Sequence, residues 1–501
     1  MAAGQTKSLA ELGLTAQGGR RADITGLSVD SREVREGHLF AALPGTRVHG
    51  GDFIQYALRM GAGAVLTDAQ GARLAADELS TSDAALILAE DPRQTLAYTA
   101  ALWFGAQPEV MVAVTGTNGK TSVANFCRQI WTELGLAAVN IGTTGVEGAH
   151  DAPLAHTTPE PITLHRILSE CEAAGVTHAA MEASSHGLEQ RRLDGVRLMA
   201  AGFTNFSQDH LDYHAGFDEY FAAKAGLFAR VLPEDGIAVI NVGDDKGPAM
   251  AEIACARGQD LITVGRAAGS DIHLQAQRFA PTGQDLRFDW KGRAHQVSLD
   301  LIGGFQAENV LLAAGLTIAA GADPERVFET LGHMKTVRGR MELAATRANG
   351  ATVFVDYAHT PDAVATALKA LRPHVMGRLV AIIGAGGDRD TAKRPLMGQA
   401  AVENADLVII TDDNPRSEDP ASIRAAVMAG VANAGGAELA RDVGDRAEAI
   451  LRGVDMLGPG DALLICGKGH ETGQIVGDDV FPFDDSEQAS VAVAALDGGL
   501  A

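Results

Sequence analysis

The chain has 501 residues, of which 41 are Lys or Arg and 64 are Asp or Glu, so its formal net charge is −23. Hydrophobic residues make up 46% and charged residues 21%, with no biased tract, which excludes a disordered or fibrous chain. The acidic balance, without any basic run, argues against a nucleic-acid partner. It is compatible with a phosphate-bearing small ligand, because backbone amides and one lysine can outweigh a negative net charge locally.

The cysteines and the apolar segments indicate the compartment. Four cysteines lie far apart without the paired spacing of metal ligands, so we expect no disulfide framework and a reducing environment. The N-terminal segment lacks the layout of a signal peptide. The longest apolar stretch, near residues 310–322, is about 13 residues long and too short to span a bilayer. We therefore expect a cytoplasmic protein without membrane insertion.

Hydrophobic periodicity divides the chain into three blocks, residues 1–104, 105–336 and 337–501, which agrees with about 150 residues per domain. The first block contains a helix-like segment, FIQYALRMGAGA, and a short strand, AVLTD. The second opens with an apolar run at 110–114, then TGTNGKT and the amphipathic SVANFCRQIWTELG, which predicts strand, glycine loop and helix. Further strands are predicted at THAAMEAS, RLMAAGFTNF, GIAVINVG and DLITVG, and an antiparallel ribbon at IHLQAQRFAPTGQDLRFDW.

The third block has four apolar strands that each run into a polar loop. They lie in ATVFVDYAH, RLVAIIGAGGDRD, ADLVIITDDNPR and DALLICGKGHE, with Ala-rich helical stretches between several of them. This alternation predicts an α/β fold with a parallel sheet covered on both faces. Because ligands of open α/β sheets bind beyond the carboxyl ends of the strands, we expect these loops to form a site.

The strongest single signal is the glycine-rich segment of the second block. It consists of Gly116, Thr117, Asn118, Gly119, Lys120 and Thr121. Glycines let the backbone approach a polyphosphate, and amides at a helix N-terminus favour its negative charge. Lys120 can reach the β- and γ-phosphates, and the Thr121 hydroxyl can ligate Mg²⁺. The spacing is the short form G-x-x-G-K-T, and it predicts nucleotide binding without indicating the reaction.

TGTNGKTS resembles the ATP loop of the Mur ligases, the cytoplasmic amide-forming enzymes that build the peptidoglycan stem peptide. EASSHGLEQRR, TNFSQDHLDYH and DYAHTPD resemble the same family in the same order, so the resemblance covers all three blocks. Folylpolyglutamate synthetases share the ATP loop, but DSR with HLFAALPG, and DNPR, favour the Mur branch. The resemblance implies three domains: an N-terminal α/β UDP-binding domain, a central P-loop-type ATPase domain with a parallel sheet, and a C-terminal Rossmann-like domain.

The resemblance also implies ATP and Mg²⁺ as cofactors. The residues expected to be catalytic are Lys120, Glu182, His210 and Lys224. The expected Mg²⁺ ligands are Thr121, Glu182, His210 and Lys224, the last as a carbamate. The expected ATP contacts are Gly116, Thr117, Asn118, Gly119, Lys120, Thr121, Ser122, Asn309, Arg340 and Asp356. From the residues alone, the alternative for Glu182 is a strand-end carboxylate that caps the next turn, and Lys224 is expected to be a solvated helix lysine. Gln306 stands where family members carry asparagine, so we expect a rearranged adenine contact there.

The implied carboxyl substrate is UDP-N-acetylmuramoyl-L-alanyl-D-glutamate. Its carboxylate would attack the γ-phosphate of ATP to give an acyl phosphate, which an amine then converts to an amide. The expected contacts to this substrate are Leu27, Ser28, Ser31, His49, Gly50, Thr157, Thr158, Ser184, Gln190 and Arg192. An arginine beside a carboxylate-rich peptide is physically reasonable, although Arg191 next to it makes a plain surface role an alternative.

The incoming amine is predicted from the third block. The DNPR segment resembles that of the enzymes that add meso-2,6-diaminopimelate, whose second carboxylate a guanidinium can bind bidentately. The residues expected to bind it are Arg389, Asp413, Asn414, Pro415, Arg416, Gly467 and Glu471. Lysine would leave Arg416 unpaired. The alternatives are the L-lysine-adding ligase of the family, a folylpolyglutamate synthetase, and a kinase or nucleotide-dependent switch.

Overall fold

The structure is a computed structural model that describes residues 5–45, 48–207 and 216–498. The chain divides into two compact units. One comprises Met1–Ile272 and Leu311–Phe328, and the other His273–Val310 and Glu329–Ala501. No helix in the described ranges is long and apolar enough to cross a membrane.

The first unit begins with a four-stranded parallel sheet in the order β3-β4-β5-β6. Its elements are β1 (Lys7–Ser8), β2 (Asp23–Ile24), β3 (Gly26–Ser28), β4 (His38–Ala41), α1 (Ile54–Arg59), β5 (Ala64–Thr67), α2 (Ala69–Leu74), α3 (Ala76–Thr81), β6 (Ala85–Leu88) and α4 (Pro92–Phe104). The Asp91 carboxylate caps α4 by accepting from the Gln94 amide, and Pro92 occupies the first turn. Gly105, in the left-handed conformation, ends the helix.

A second sheet of the first unit has the strand order β13-β12-β11-β7-β10-β8-β9. Its elements are β7 (Val110–Thr115), α5 (Lys120–Glu133), β8 (Ala138–Gly142), β9 (Gly145–Gly148), α6 (Pro161–Ala173), β10 (His178–Glu182), α7 (Ser185–Glu189), β11 (Ala200–Phe203), α8 (Phe217–Gly226), β12 (Ile237–Asn241), α9 (Gly247–Ala256) and β13 (Asp260–Gly265). These strands pair in parallel, except that β9 is antiparallel to β8. Every residue of β7 is buried, as expected for a central strand between two helical layers.

The next elements along the chain are β14 (Ile272–Ala280), β15 (Gly283–Trp290), β16 (Arg293–Leu299), α10 (Phe305–Ala319) and α11 (Pro324–Thr330). β15 and β16 pair antiparallel, and β14 lies beside β15. The ribbon predicted at 272–290 covers β14 and β15, and β16 was not predicted. Burial alternates along β16 from Ala294 to Leu299, which is the period expected of a strand with one solvated face.

The second unit contains a six-stranded sheet in the order β17-β18-β22-β19-β20-β21. The remaining elements are β17 (Glu342–Thr346), β18 (Thr352–Asp356), α12 (Pro361–Leu371), β19 (Leu379–Ile383), α13 (Lys393–Asn404), β20 (Leu407–Ile410), α14 (Pro420–Asn433), β21 (Ala440–Asp442), α15 (Arg446–Asp455), β22 (Ala462–Cys466), β23 (Gly473–Val476), β24 (Asp479–Pro482) and α16 (Asp485–Leu496). Only β17 pairs antiparallel within this sheet. Alternate residues of β18 and β22 enter two separate hydrophobic cores, so both faces are covered as predicted.

The four cysteines lie in different environments, and all four are free. Cys127, Cys171 and Cys466 are buried, whereas Cys255 on α9 is exposed. Burial raises the pKa of the Cys171 thiol to about 11. The buried thiols are therefore packing groups.

Candidate active site

The glycine loop joins the buried strand β7 to the N-terminus of α5. Gly116 has a φ of 145° and Gly119 a φ of 85°, both in the region that favours glycine. A Cβ on Gly116 would lie 1.8 Å from the Thr204 Oγ1, so a side chain does not fit there. Lys120, Thr121 and Ser122 form the first turn of α5, where unpaired amides and the helix dipole favour an anion.

The segment after β11 holds the loop in place. Thr204 Oγ1 donates to the Asn118 carbonyl at 2.6 Å, and the Asn118 amide donates to Asn205 Oδ1 at 2.9 Å. The Thr117 amide donates to the Asn205 carbonyl at 2.8 Å, and its hydroxyl accepts from the Ser207 amide at 3.0 Å. Sequence reasoning missed Thr204, because its role depends on β11 lying beside β7 in the sheet.

Two lysines converge on the loop. Lys120 Nζ donates to the carbonyls of Gly116 and Thr117 at 3.1 and 2.9 Å. Lys224 Nζ on α8 donates to the Gly116 carbonyl at 2.6 Å and lies 4.3 Å from the centre of the Tyr220 ring. Lys224 is only 1% exposed, so its interpretation as a solvated helix lysine is wrong. Lys224 lies on the side of α8 that faces the interior, where it contacts the phosphate loop.

Glu182 ends β10, the strand beside β7. It is 2% exposed, and its Oε1 accepts from the Thr143 amide at 2.8 Å. Its carboxylate and the Thr121 hydroxyl are oxygen donors of the kind Mg²⁺ prefers. His210, the other predicted ligand, lies outside the described residues. Within the described ranges, no group of three or more His, Cys, Asp or Glu side chains could hold a metal ion.

The predicted peptide-substrate contacts of the central sheet lie near one another. They are Thr157, Thr158, Ser184, Gln190 and Arg192. Thr158 Oγ1 donates to the Glu182 carbonyl at 2.9 Å and accepts from Ser184 Oγ at 3.0 Å. Arg192 donates to the Thr158 carbonyl at 2.5 Å and to Gln190 Oε1 at 2.8 Å. The Thr157 hydroxyl is 3.1 Å from that of Thr143, which joins the Glu182 end of this network.

The predicted uridine and diphosphate contacts lie at the carboxyl edge of the four-stranded sheet. They are Leu27 and Ser28 on β3, Ser31 just after it, and His49 and Gly50 at the start of a 3₁₀ turn. Ser28 Oγ donates to the Asp30 carbonyl at 2.8 Å, and His49 Nε2 is 3.2 Å from Asp68. The same edge carries a cleft of about 410 Å³, whose lining is Asp68, Ala69, Gln70, Leu88, Ala89 and Glu90. None of the five predicted residues lines the cleft, although Asp68 in its lining lies beside His49.

The predicted adenine contacts of the second unit lie around the end of β18. The Asp356 carboxylate accepts from the amides of Met341 and Ala358, both at 2.8 Å. Burial raises the pKa of Asp356, and the nearby Arg340 opposes that rise. The Arg340 guanidinium stacks 5.0 Å from the centre of the Tyr357 ring. The structure thus brings Arg340 and Asp356 together.

Asn309 and Gln306 are buried in the first turn of α10. Asn309 Nδ2 donates to Gln306 Oε1 at 3.0 Å, and the two residues are 5% and 2% exposed. The Gln306 side chain, which is longer than the asparagine expected at this position, therefore forms a direct hydrogen bond with Asn309.

The DNPR turn follows β20 at the carboxyl edge of the six-stranded sheet, close to the loop after β22. Asn414 Nδ2 donates to Glu471 Oε2 at 2.9 Å. A Cβ on Gly467, whose φ is 119°, would lie 2.4 Å from Asp413 Oδ2. Within the described part of the chain, Asp413 Oδ2 is buried without a hydrogen-bond partner. Arg389 is exposed on the neighbouring loop, where its Nη1 lies 3.4 Å from the Asp388 carbonyl.

Arg416, which follows Pro415, has a φ of 51°, and its amide donates to the Ile475 carbonyl on β23 at 3.1 Å. Its Nη1 donates to the Gly387 carbonyl at 2.8 Å. Among the residues that the structure describes, its Nε and Nη2 make no hydrogen bond. That edge of the guanidinium is the one with the geometry for a bidentate carboxylate.

Two further buried cations support this site, and sequence reasoning singled out neither. Lys468 is fully buried and donates to Asn414 Oδ1 at 2.9 Å. Arg446 is paired with Asp485 through two bonds of 2.7 Å and donates to the Cys466 carbonyl at 2.9 Å. The available signal for Lys468 was its position in GKGHE, directly after an apolar strand.

A central parallel strand, a glycine loop that opens a helix with Lys-Thr, and a carboxylate at the end of the adjacent strand define a nucleotide-binding protein of the P-loop class. The family comparisons agree in all three blocks. Residues 114–317 match the Mur ligase middle domain, residues 339–469 the Mur ligase, glutamate ligase domain, and residues 23–103 the Mur ligase family, catalytic domain.

Relatives extend over nearly the whole chain. It is 49% identical over 477 residues to the UDP-N-acetylmuramoyl-L-alanyl-D-glutamate--2,6-diaminopimelate ligase of Bradyrhizobium diazoefficiens, covering 94% of this chain and 95% of that protein. A solved structure of an enzyme with the same name is 32% identical, with a TM-score of 0.72 over 98% of this chain and 99% of the other. MurF ligase from Thermotoga maritima, solved with ADP, shares the fold at 19% identity and a TM-score of 0.56, over 95% of this chain and 98% of the other. The chain belongs to the Mur ligase family, whose members are ATP-dependent amide-forming ligases.

Proposed function

We propose that this protein joins an amine of 2,6-diaminopimelate, in its meso form, to the D-glutamate carboxyl group of UDP-N-acetylmuramoyl-L-alanyl-D-glutamate, with ATP converted to ADP and phosphate. The relatives at 49% and 32% identity carry the name of this reaction. The observation that carries the proposal is the Arg416 guanidinium. It is anchored through Nη1 to the Gly387 carbonyl, and its Nε and Nη2 make no hydrogen bond within the described residues, in the same turn as Asn414, which pairs with Glu471. The cytoplasm remains the expected location.

The reaction needs two substitutions. A carboxylate oxygen of the substrate attacks the γ-phosphorus, the bond to ADP breaks, and an acyl phosphate forms. The amine nitrogen then attacks the acyl carbon, phosphate leaves, and the nitrogen loses a proton. Positioning and charge neutralisation account for most of the rate enhancement in such transfers.

The phosphate loop supplies much of that positioning. Its amides and Lys120 can bind the β- and γ-phosphates once the Lys120 ammonium turns from the loop carbonyls to the nucleotide. Glu182, Thr121, Lys224 as a carbamate, and His210 would hold Mg²⁺, which when bound neutralises phosphate charge. A carbamate keeps one N–H, so Lys224 could still donate to the Gly116 carbonyl at its present 2.6 Å.

The amine pocket would distinguish the two ends of the amino acid. Arg416 can bind the distal carboxylate of diaminopimelate bidentately, and Glu471 can accept from the distal ammonium. L-Lysine has the ammonium without the carboxylate, so it would leave the guanidinium unpaired, at a cost of about 1.5–3 kcal/mol for a charged hydrogen bond.

The test is ADP release and peptide formation with Mg²⁺, ATP and the nucleotide-linked dipeptide, measured with meso-2,6-diaminopimelate and separately with L-lysine. We expect diaminopimelate to be the better substrate and ADP release to depend on it. Arg416→Lys should raise the KM for diaminopimelate about 10- to 100-fold. Arg452→Lys is the matched control, because Arg452 is exposed on α15 of the same unit. A clear preference for lysine, or ADP release that needs no amine, would overturn the proposal.

A further inference from the structure

Lys468 is a fully buried lysine within the proposed amine pocket. It lies between Gly467 and Gly469, whose φ values of 119° and 54° are unfavourable for residues with a Cβ. Its Nζ donates to Asn414 Oδ1 at 2.9 Å and is 3.6 Å from Glu471 Oε2. Burying an ammonium is costly, so a lysine at this position suggests a function.

Lys468 is one of two donors that orient the Asn414 amide. Asn414 Oδ1 accepts from both Lys468 Nζ and the Ile475 amide, each at 2.9 Å. Its Nδ2 therefore faces Glu471 and donates to Oε2 at 2.9 Å. The reverse orientation would place an amide nitrogen against two donors and an oxygen against a carboxylate.

This arrangement leaves one carboxylate oxygen for a ligand. Glu471 Oε2 is taken by Asn414, while Oε1 makes no hydrogen bond in the described part of the chain. Burial lowers the pKa of Lys468, and Asp413 and Glu471 oppose that fall. Both protonation states of the amine donate an N–H, so the orientation of Asn414 holds in either state.

We infer that Lys468 is a positioning residue for the incoming amino acid: through the Asn414 amide it fixes Glu471 so that Oε1 faces the ammonium of the diamino acid. This inference rests on the proposed function. In this role Lys468 does not contact the substrate itself. Its substitution should therefore affect the use of diaminopimelate and not that of the other two substrates. A purely structural lysine would instead affect folding and all three substrates alike.

The experiment compares steady-state kinetics of the full-length wild type and Lys468→Met, whose side chain is of similar length and has no donor. We expect the KM for diaminopimelate to rise at least about tenfold, or about 1.4 kcal/mol, with the KM for ATP and for the nucleotide-linked dipeptide within about twofold. Arg378→Met is the matched control. It removes an ion pair with Asp461 at the amino edge of the same sheet and should leave the KM for diaminopimelate unchanged.

A double-mutant cycle tests the route through Asn414. In an Asn414→Ala background, Lys468→Met should raise the KM for diaminopimelate by less than about twofold, because the group through which it acts is gone. If Lys468→Met does not fold, Lys468→Gln replaces it, and its retained N–H donor should keep that KM within about twofold of wild type. An unchanged KM in Lys468→Met, its full effect in the Asn414→Ala background, or a tenfold rise in Lys468→Gln would refute the inference.

The wild-type measurement distinguishes failure of the proposed function from failure of the role assigned to Lys468. Wild-type protein that forms no product with diaminopimelate refutes the proposed function, and the inference falls with it. Wild-type protein that forms product while Lys468→Met behaves identically refutes the role of Lys468 alone.

Discussion

Substituting Gly116 by alanine tests whether the geometry of the phosphate loop governs nucleotide use. Gly116 has a φ of 145°, and a Cβ there would lie 1.8 Å from Thr204 Oγ1. Backbone strain at such a position costs about 1–3 kcal/mol. Turning Thr204 away would also break its 2.6 Å bond to the Asn118 carbonyl, worth about 1 kcal/mol.

Together these terms reach about 2–4 kcal/mol, and the nucleotide-binding conformation of the loop would carry most of that cost. We therefore expect Gly116→Ala to lower kcat/KM for ATP at least about 30-fold. The assay is ADP release at varied ATP with the other two substrates saturating.

Gly135→Ala is the control for left-handed strain without a clash. Gly135 follows α5 with a φ of 81°, and a Cβ there would meet nothing within 4 Å. It should lower the free energy of unfolding by about 1 kcal/mol and leave kcat/KM for ATP unchanged. A folded Gly116→Ala variant with wild-type kcat/KM for ATP would show that the loop does not require this glycine.

Three further substitutions probe charges elsewhere. Burial lowers the pKa of His165 to about 4. The folded state therefore binds this proton less tightly than the unfolded chain, and stability should fall by up to about 3 kcal/mol as the pH drops from 6.5 to 4. His165→Leu should flatten that dependence in urea unfolding. Asp485→Ala removes the bidentate partner of the buried Arg446 and should lower the free energy of unfolding by about 3–5 kcal/mol. Arg191→Met breaks the 2.8 Å bond to Asp91 that ties the 190–192 segment to the start of α4, and should raise the KM for the nucleotide-linked dipeptide about fivefold without changing that for ATP.

Matched surface variants serve as controls for Asp485→Ala and Arg191→Met. Glu448→Ala breaks an exposed pair with Arg452 and should change stability by less than about 1 kcal/mol. Arg166→Met breaks an exposed pair with Glu170 on α6 and should leave the dipeptide KM unchanged. The reasoning fails if the His165 variant keeps the full pH dependence, if Asp485→Ala costs no more than Glu448→Ala, or if Arg191→Met matches Arg166→Met.

The sequence predicted the parts of the fold that depend on local pattern. β7 and β22 consist wholly of buried residues, so continuous apolar runs identified them, and the turn after β7 was recognisable from Gly116, Gly119 and Lys120. The resemblance to Mur ligases, carried by short motifs in all three blocks, is confirmed by the family matches and the relatives. The ligase class is confirmed with it.

The sequence could not predict contacts that depend on strand order. Thr204 shapes the loop because β11 adjoins β7, although about 90 residues separate the partners. Lys224 is buried because one side of α8 faces that loop, whereas its local sequence gives no period that requires this. Lys468 contacts Asn414 across 54 positions of the chain, since β22 and β20 end at the same sheet edge. The roles assigned to His210 and to the remaining site residues stay predictions.

The distribution of thiols leaves one cysteine, Cys255, suited to chemical labelling. Cys255 is exposed on α9, whereas the other three cysteines are buried, and burial raises the pKa of Cys127 and Cys171. A maleimide dye should therefore modify the native protein at one place, with no engineered background required. Fluorescence from that label would report on the central sheet while the phosphate loop, on a different part of the same unit, keeps its natural residues.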